Sequence, residues 1–143
     1  MRPHDLGQPY QGCQCEAHKR LRAKLRKRKA IGKPVMLKAP AIGATRRLRA
    51  LMAMGYSARS VSLQTGISQQ ELGYLRAGPR KRLSASRCSA IADLYERLAM
   101  HPAPPSREAS RARNRAAQAG WMPPLAWDDI DSPRERPSGR RAA

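Results

Sequence analysis

The segment from Ser57 to Pro79 carries start and stop signals for two short helices separated by a tight turn. Ser57 and Ser68 are good N-cap residues, because a serine hydroxyl accepts a hydrogen bond from the unpaired N–H groups of the first helical turn. Gly66 and the Gly78-Pro79 pair end the helices, since glycine adopts a left-handed conformation and proline cannot continue a helix. The pattern predicts two helices, over residues 58–65 and 69–77.

The residues around the turn fit a helix-turn-helix unit, in which two helices cross steeply at a short connection containing glycine. Ser62 offers a small residue at the crossing, and Gly66 tolerates a positive φ in the turn. Ile67 would tuck under the second helix, and the other positions predicted to face inward are Val61, Leu72 and Leu75. The alternative is an ordinary helical hairpin in a small bundle.

Two more helices are predicted on either side of this pair, over residues 44–54 and 85–100. The first has an apolar stripe at Leu48, Leu51 and Met52, and the second begins after Ser84 as its N-cap. Glu71, three residues after Ser68, completes a capping-box pattern. The apolar face of the last helix is Cys88, Ile91, Ala92, Tyr95, Leu98 and Ala99. A linker before these helices is marked by Gly32, Pro34, Pro40 and Gly43. The predicted fold class is all-α, with a small helix-turn-helix domain at 44–100.

The net charge of +19, from 29 basic and 10 acidic residues, points to a polyanionic partner such as nucleic acid. Residues 1–43 carry +9, residues 44–100 carry +7 and residues 101–143 carry +3. The sequence has no run of 18 apolar residues and no secretory signal, and three cysteines do not suggest a disulfide framework. We therefore expect a cytoplasmic protein that does not interact with membranes.

In a helix-turn-helix protein, the second helix enters the major groove of double-stranded DNA. Gln69 and Gln70 are the candidates for reading bases, because an amide pairs bidentately with adenine. Gly73 either permits close approach to the DNA backbone or is simply tolerated. The positions predicted to face outward are Ser68, Gln69, Gln70, Gly73, Tyr74 and Arg76.

Basic residues beside the helix pair are the candidate phosphate contacts, which set register and salt-dependent affinity. Those in the predicted domain are Arg46, Arg47, Arg49, Arg59, Arg80, Lys81 and Arg82. A polybasic arm at 19–29 adds Lys19, Arg20, Arg22, Lys24, Arg26, Lys27, Arg28 and Lys29. Because like charges repel, this arm is a poor isolated helix. It could fold when phosphate neutralises its charge. The alternative is an arm that solubilises the protein or binds without specificity.

The N-terminal part, 1–43, also contains the donor set of a tetrahedral zinc site: His4, Cys13, Cys15 and His18. Cys15 and His18 have an ordinary chelating interval, whereas Cys13 and Cys15 are separated by one residue only. One structural zinc would supply the folding energy that this part lacks. The alternative, two thiols and two surface histidines in a disordered tail, is favoured by the spacing taken alone.

The C-terminal part, 101–143, predicts a helix over 107–119 that is capped by Ser106 and ended by Gly120. The segment Trp121–Asp131 then gathers both tryptophans and three acids. It is either a docking motif, for a protein partner or for the chain's own domain, or a tail that packs intramolecularly. The tail after Pro133 has a composition typical of disorder.

Three stretches resemble a family of small helix-turn-helix DNA-binding proteins from actinobacteria and their phages. They are Tyr10 with the Gly12–His18 motif, Thr45–Leu51 continuing to Gly66–Ser68, and Pro123–Asp131. Position 18 in that family is usually Cys, and the histidine found here can still bind zinc. The resemblance strengthens the zinc hypothesis and implies a DNA-binding, regulatory role in the nucleoid or in the cytoplasm of a phage-infected host.

The sequence thus predicts a non-enzymatic, sequence-specific transcriptional regulator. The main alternative is an RNA-binding or nucleoid-type protein that uses the 19–29 arm without sequence preference, although scarce aromatic residues argue against stacking on single strands. A metal-dependent nuclease is disfavoured, because no paired carboxylates lie near the candidate metal ligands. The oligomeric state is not readable from the sequence.

Overall fold

The computed structural model describes residues 15–32 and 38–139, and helices dominate this part of the chain, as the sequence predicts. Helix α1 precedes a short strand and is followed by helices α2 to α6 and one 3-10 turn at Pro124–Ala126. The helices are α1 (Glu16–Ala30), α2 (Ile42–Ala53), α3 (Ala58–Thr65), α4 (Gln69–Ala77), α5 (Ala85–Leu98) and α6 (Arg107–Gln118). None of the described helices is long and apolar enough to cross a membrane.

The local signals in the sequence predict most helix ends to within two residues. Ser57, Ser68 and Ser106 each accept a hydrogen bond from the backbone N–H three residues later. Ser84 occupies the N-cap position of α5, but its hydroxyl makes no capping bond. The capping box at Ser68 is only half formed, because the Glu71 carboxylate binds Arg80 and Arg87 instead.

Two three-residue strands were not predicted. Strand β1 (Lys38–Pro40) pairs antiparallel with β2 (Arg82–Ser84), with Lys38 opposite Ser84. Pro40 therefore belongs to a strand rather than to a linker. The Arg82 guanidinium also donates to the Lys38 carbonyl at 3.0 Å. Strands this short offer no periodicity from which the sequence could reveal them.

The core forms where α2, α3, α4 and α5 meet, and it extends on both sides of the predicted 44–100 domain. Its largest fully buried aliphatic side chains are Leu48, Leu51, Val61, Leu72, Leu75, Leu83, Ile91 and Leu94. Ala41, Ala103, Ala109 and Ile130 belong to the same cluster. Against the other side of α2, Ala112 and Ala116 of α6 pack on Met52, because small side chains allow the two helices to approach closely.

Three arginines on one turn of α2 hold the C-terminal segment, residues 121–139, against the helix. We call Arg46, Arg47 and Arg49 the α2 arginine triad. Arg46 donates to the carbonyls of Ile130, Ser132 and Glu135, and its guanidinium lies 4.6 Å from the centre of the Trp127 ring.

The other two triad members make equally specific contacts. Arg47 forms a bidentate ion pair with Asp131, with N–O distances of 2.6 and 2.7 Å. Arg49 lies 5.4 Å from the Trp121 ring centre and donates to the last carbonyls of α4, from Arg76 at 2.7 Å and Ala77 at 3.3 Å. The triad thus joins α2 both to the C-terminal segment and to the end of α4.

Of the alternatives for the Trp121–Asp131 segment, the structure shows intramolecular packing on the chain's own helical domain. After Pro133, where the composition is typical of disorder, the described residues up to 139 make specific contacts with this segment. The Glu135 carboxylate accepts hydrogen bonds from the N–H groups of Asp128 and Asp129, both at 2.6 Å. Ser138 donates its backbone N–H to the Ala126 carbonyl at 2.8 Å.

Gly43, predicted to mark a linker, lies inside α2 and allows this docking. A Cβ atom at position 43 would come within 1.9 Å of the Asp131 carboxylate and 2.8 Å of the Arg47 guanidinium. Gly73 in α4 differs, because a Cβ there would meet nothing within 4 Å. Packing inside the protein therefore requires glycine at position 43 but not at position 73.

We expect Gly73→Ala to raise the free energy of unfolding by about 1 kcal/mol, the usual gain of Ala over Gly in a helix. Gly43→Ala should gain clearly less or be destabilising, since Asp131 must move away from Arg47 to make room. Urea denaturation of both variants measures the difference. Equal gains at the two positions would contradict the proposed role of Gly43.

The ion pair between Arg47 and Asp131 should make the stability of the fold depend on pH. Hydrogen bonding to Arg47 holds the pKa of Asp131 below its usual value. A carboxylate with a lowered folded-state pKa stabilises the fold above its unfolded pKa of about 3.9, and this contribution is lost as the pH falls through the folded pKa. We expect Asp131→Asn to lower the free energy of unfolding by about 1 kcal/mol or less at pH 7, because the carboxylate is 62% exposed. At a pH low enough to protonate Asp131, the substitution should have no effect.

Thermal melts of wild type and Asp131→Asn between pH 7 and pH 2 check this pH dependence. Asp128→Asn is the matched control, because the Asp128 side chain is exposed and lies outside the ion pair. A loss of stability in Asp131→Asn that is the same at every pH would exclude the ion pair as its cause.

Candidate nucleic-acid interface

Helices α3 and α4 meet through the turn that the sequence predicts. Gly66 ends α3 with φ of +73°, and Ile67 lies buried beneath the start of α4. Val61, Leu72 and Leu75 are fully buried, as expected for the inner face of such a helix pair. The Thr45 hydroxyl donates to the Leu75 carbonyl at 3.0 Å and ties the end of α4 to α2.

The opposite side of α4 presents an exposed surface, which we call the α4 outer face. It comprises Ser68, Gln69, Gln70, Gly73, Tyr74 and Ala77. Tyr74 is 50% exposed. Within the described part of the chain, the Gln69 and Gln70 side chains make no hydrogen bond to another residue. All these side chains are uncharged, so the surface offers hydrogen-bonding groups rather than net charge.

Arg76 is not part of this face, and the prediction that it points outward is wrong. It is 4% exposed and lies on the side of α4 that faces α6. Burial, with Arg115 nearby, lowers the pKa of Arg76 to about 10, so the side chain still carries its charge at neutral pH. The sequence pattern missed this burial because a lone arginine in a last helical turn is typical of a solvated residue.

Three of the predicted phosphate contacts are engaged inside the molecule. Arg46, Arg47 and Arg49 donate to backbone carbonyls or to Asp131, as described for the triad. Burial, together with the neighbouring Arg46, lowers the pKa of Arg49, whereas the Asp131 partner raises the pKa of Arg47. Their assignment as phosphate ligands is therefore replaced by a structural role.

The remaining predicted phosphate contacts of the domain lie nearer the surface. Arg59 on α3, Arg80 and Lys81 are exposed, and Arg82 is half-buried beside β1. The Arg80 guanidinium lies 5.3 Å from the Tyr74 ring centre and 3.5 Å from the Glu71 carboxylate. Cations therefore border the α4 outer face after its C-terminal end.

Further cations near α4 were not predicted as functional residues. Arg111 and Arg115 of α6 share a groove with Gln69 and Arg59. A signal for them exists in the sequence, because Ala109, Ala112 and Ala116 repeat at helical spacing and are the buried residues of α6. That periodicity leaves Arg111 and Arg115 exposed, whereas Arg113 is half-buried and donates to the Met54 and Ala103 carbonyls.

Helix α1 contains the whole polybasic arm. The cationic residues predicted there are exposed, except Arg22 and Arg28, which are half-buried. Lys19 pairs with Glu16 at 3.2 Å, an exposed contact between neighbouring helical turns that adds little stability. The basic side chains lie all around the helix, so the arm offers charge without a defined reading face.

Two members of the candidate zinc set, Cys15 and His18, lie at the start of α1. The Cys15 sulfur is 3.0 Å from His18 Nδ1, and His18 is buried. Two ligands of one tetrahedral zinc ion would be about 3.5 Å apart, given the usual Zn–S and Zn–N distances, so these two atoms would have to separate slightly to bind one. His4 and Cys13 lie outside the described residues, within which no group of three or more metal-binding side chains occurs.

If the four side chains form a zinc site, the purified protein should contain one zinc per chain. Cys15→Ser should lose most of the metal, because it removes a thiolate ligand. Cys88→Ser, which alters a half-buried cysteine of α5, should keep it. Elemental analysis of the three proteins decides the matter, and equal zinc content in wild type and Cys15→Ser would exclude the site.

Comparison with known proteins provides no family for this arrangement. No protein-family model matches the chain. No curated protein and no solved structure matches it either. The resemblance to small helix-turn-helix proteins therefore stays a prediction that rests on its own sequence motifs.

Proposed function

We propose that the protein is a sequence-specific DNA-binding protein that regulates transcription, with α3 and α4 as its helix-turn-helix unit and α4 in the major groove. The observation that carries the proposal is the α4 outer face, a row of exposed and uncharged side chains that includes Gln69 and Gln70, with cations at both ends. Neutral donors and acceptors suit base reading, and the surrounding cations suit phosphate.

The dimensions of α4 support this role. Nine residues make a helix about 13 Å long, and a helix of ordinary diameter fits a B-DNA major groove about 12 Å wide. The N-terminal end of a recognition helix approaches the bases most closely in this kind of unit. Gln69 and Gln70 occupy that end of α4, where each amide could pair with adenine.

Gly73 and Tyr74 shape the rest of the reading surface. Because a Cβ at position 73 would meet no atom of the protein within 4 Å, internal packing does not require glycine there. The absent side chain leaves a shallow place next to the exposed Tyr74 ring. This arrangement favours close approach of an external surface over the alternative that Gly73 is merely tolerated.

The proposal predicts how two substitutions affect sequence preference. In gel shifts with a duplex selected from a random pool, we expect Gln69→Ala and Gln70→Ala each to reduce discrimination against changed bases. A bidentate contact provides about 1–3 kcal/mol, or roughly 5- to 150-fold. Gln64→Ala, on the exposed side of α3 and outside the α4 outer face, is the matched control and should bind as wild type does.

The same assay separates DNA reading from binding without sequence preference. Equal affinity of the wild type for all duplexes, unchanged by either glutamine substitution, would refute the proposal. Equal competition by duplex RNA would then favour the RNA-binding alternative, since the deep, narrow major groove of RNA cannot admit α4. That alternative has its support in α1, where charge lies on all sides of the helix.

A further inference from the structure

A groove of about 480 Å³ lies between α6, the N-terminal end of α3 and one side of α4, and it shares only Gln69 with the α4 outer face. Its cationic side chains are Arg59, Arg76, Arg111 and Arg115. Glu108 supplies the carboxylate that lines it, and Ser57, Asn114 and Gln118 add polar groups. Four guanidinium groups against one carboxylate make the groove strongly positive.

Arg76 is the buried side chain of this groove. It is 4% exposed, and in the described part of the chain its Nε and Nη2 atoms are buried without a hydrogen-bond partner. A buried cation with unused donors is costly, because its lost hydration is not replaced. An oxyanion in the groove would replace it with charge-assisted hydrogen bonds.

The neighbouring groups favour an anion and exclude a cation. Arg115 lies close enough to contribute to the lowered pKa of Arg76, so two positive charges already repel each other there. Within the described residues Glu108 forms no ion pair with Arg76 or Arg115, and its carboxylate accepts a hydrogen bond from the Ser57 hydroxyl at 2.5 Å. Ser57 in turn caps α3 by accepting from the Ser60 N–H. The carboxylate is thus engaged at the start of α3.

We propose that this groove is an oxyanion-binding site for a phosphate group, with Arg76 as its buried donor and Arg111 and Arg115 as its outer ones. Gln69 belongs both to the groove and to the α4 outer face, so a duplex read by α4 would bring a backbone phosphate here. Only this DNA source of the phosphate rests on the proposed function. The site itself could equally take a free phosphate or a phosphate monoester.

Thermal melts of the full-length protein test the site without DNA. Inorganic phosphate and pyrophosphate should raise the melting temperature more than chloride at equal ionic strength, because a ligand that binds only the folded state stabilises it. Arg76→Met should melt at the same or a higher temperature than wild type in chloride, since it removes a buried unpaired charge. Its affinity for phosphate should fall about tenfold or more.

Arg97→Met is the control. Like Arg76 in α4, Arg97 lies in the last turn of its helix, α5, but unlike Arg76 it is exposed. It should keep the full response to phosphate. A wild type that responds to phosphate no more than to chloride, or an Arg76→Met variant that responds as strongly as wild type, would overturn the proposal. An Arg76→Met variant that melts as wild type does in chloride, but whose melting temperature does not rise with phosphate, supports the proposal and excludes misfolding.

Gel shifts identify the source of the phosphate. If it is the DNA backbone, Arg76→Met should weaken binding to all duplexes by a similar factor and reduce the salt dependence by about one counterion. If DNA binding is unchanged while the phosphate response is lost, the site stands and its ligand is a free phosphate compound. If no DNA binding is found at all, the phosphate response still tests the site, and only the proposed function fails.

Discussion

The fold depends on the contacts that the α2 arginine triad makes with the C-terminal segment. Arg46, Arg47 and Arg49 lie within one turn of α2, and their partners lie up to 89 residues away in the chain. Each guanidinium combines hydrogen bonds with an aromatic ring, which suits arginine because its planar group can donate at its edge and stack on its face. Through these contacts α2 becomes the element against which α4, α6 and the C-terminal segment are all placed.

This use of arginine changes the meaning of the +19 charge. Part of the charge belongs to the interior contacts of the fold and is not available to a polyanion. The cations that remain at the surface near α4 are Arg59, Arg80, Lys81, Arg111 and Arg115. They border the neutral α4 outer face instead of covering it, so the proposed function would assign affinity and selectivity to different residues.

Helix α6 lies between α2 and the groove that contains Arg76. Ala112 and Ala116 pack on Met52 of α2, while Arg111 and Arg115 line the groove that contains Arg76. A helix of mostly Arg and Ala would be marginal alone, because little apolar surface is available for burial. Packing against Met52 and Trp121 stabilises it and brings its cations close to Gln69 at the start of α4.

The sequence by itself determined where α3 and α4 begin and end, which of their apolar residues face inward, and where glycine is needed in the turn. These features follow from caps, stops and periodicity within a few residues of Ser57, Gly66 and Ser68. Only the tertiary structure decided that the α2 arginines act internally, that Arg76 is buried, that Gly43 makes room for Asp131 and that Lys38–Pro40 forms a strand. The reason is physical: a helix end is set by neighbours in the chain, whereas the burial of an arginine depends on carbonyls, rings and carboxylates that distant segments bring to it.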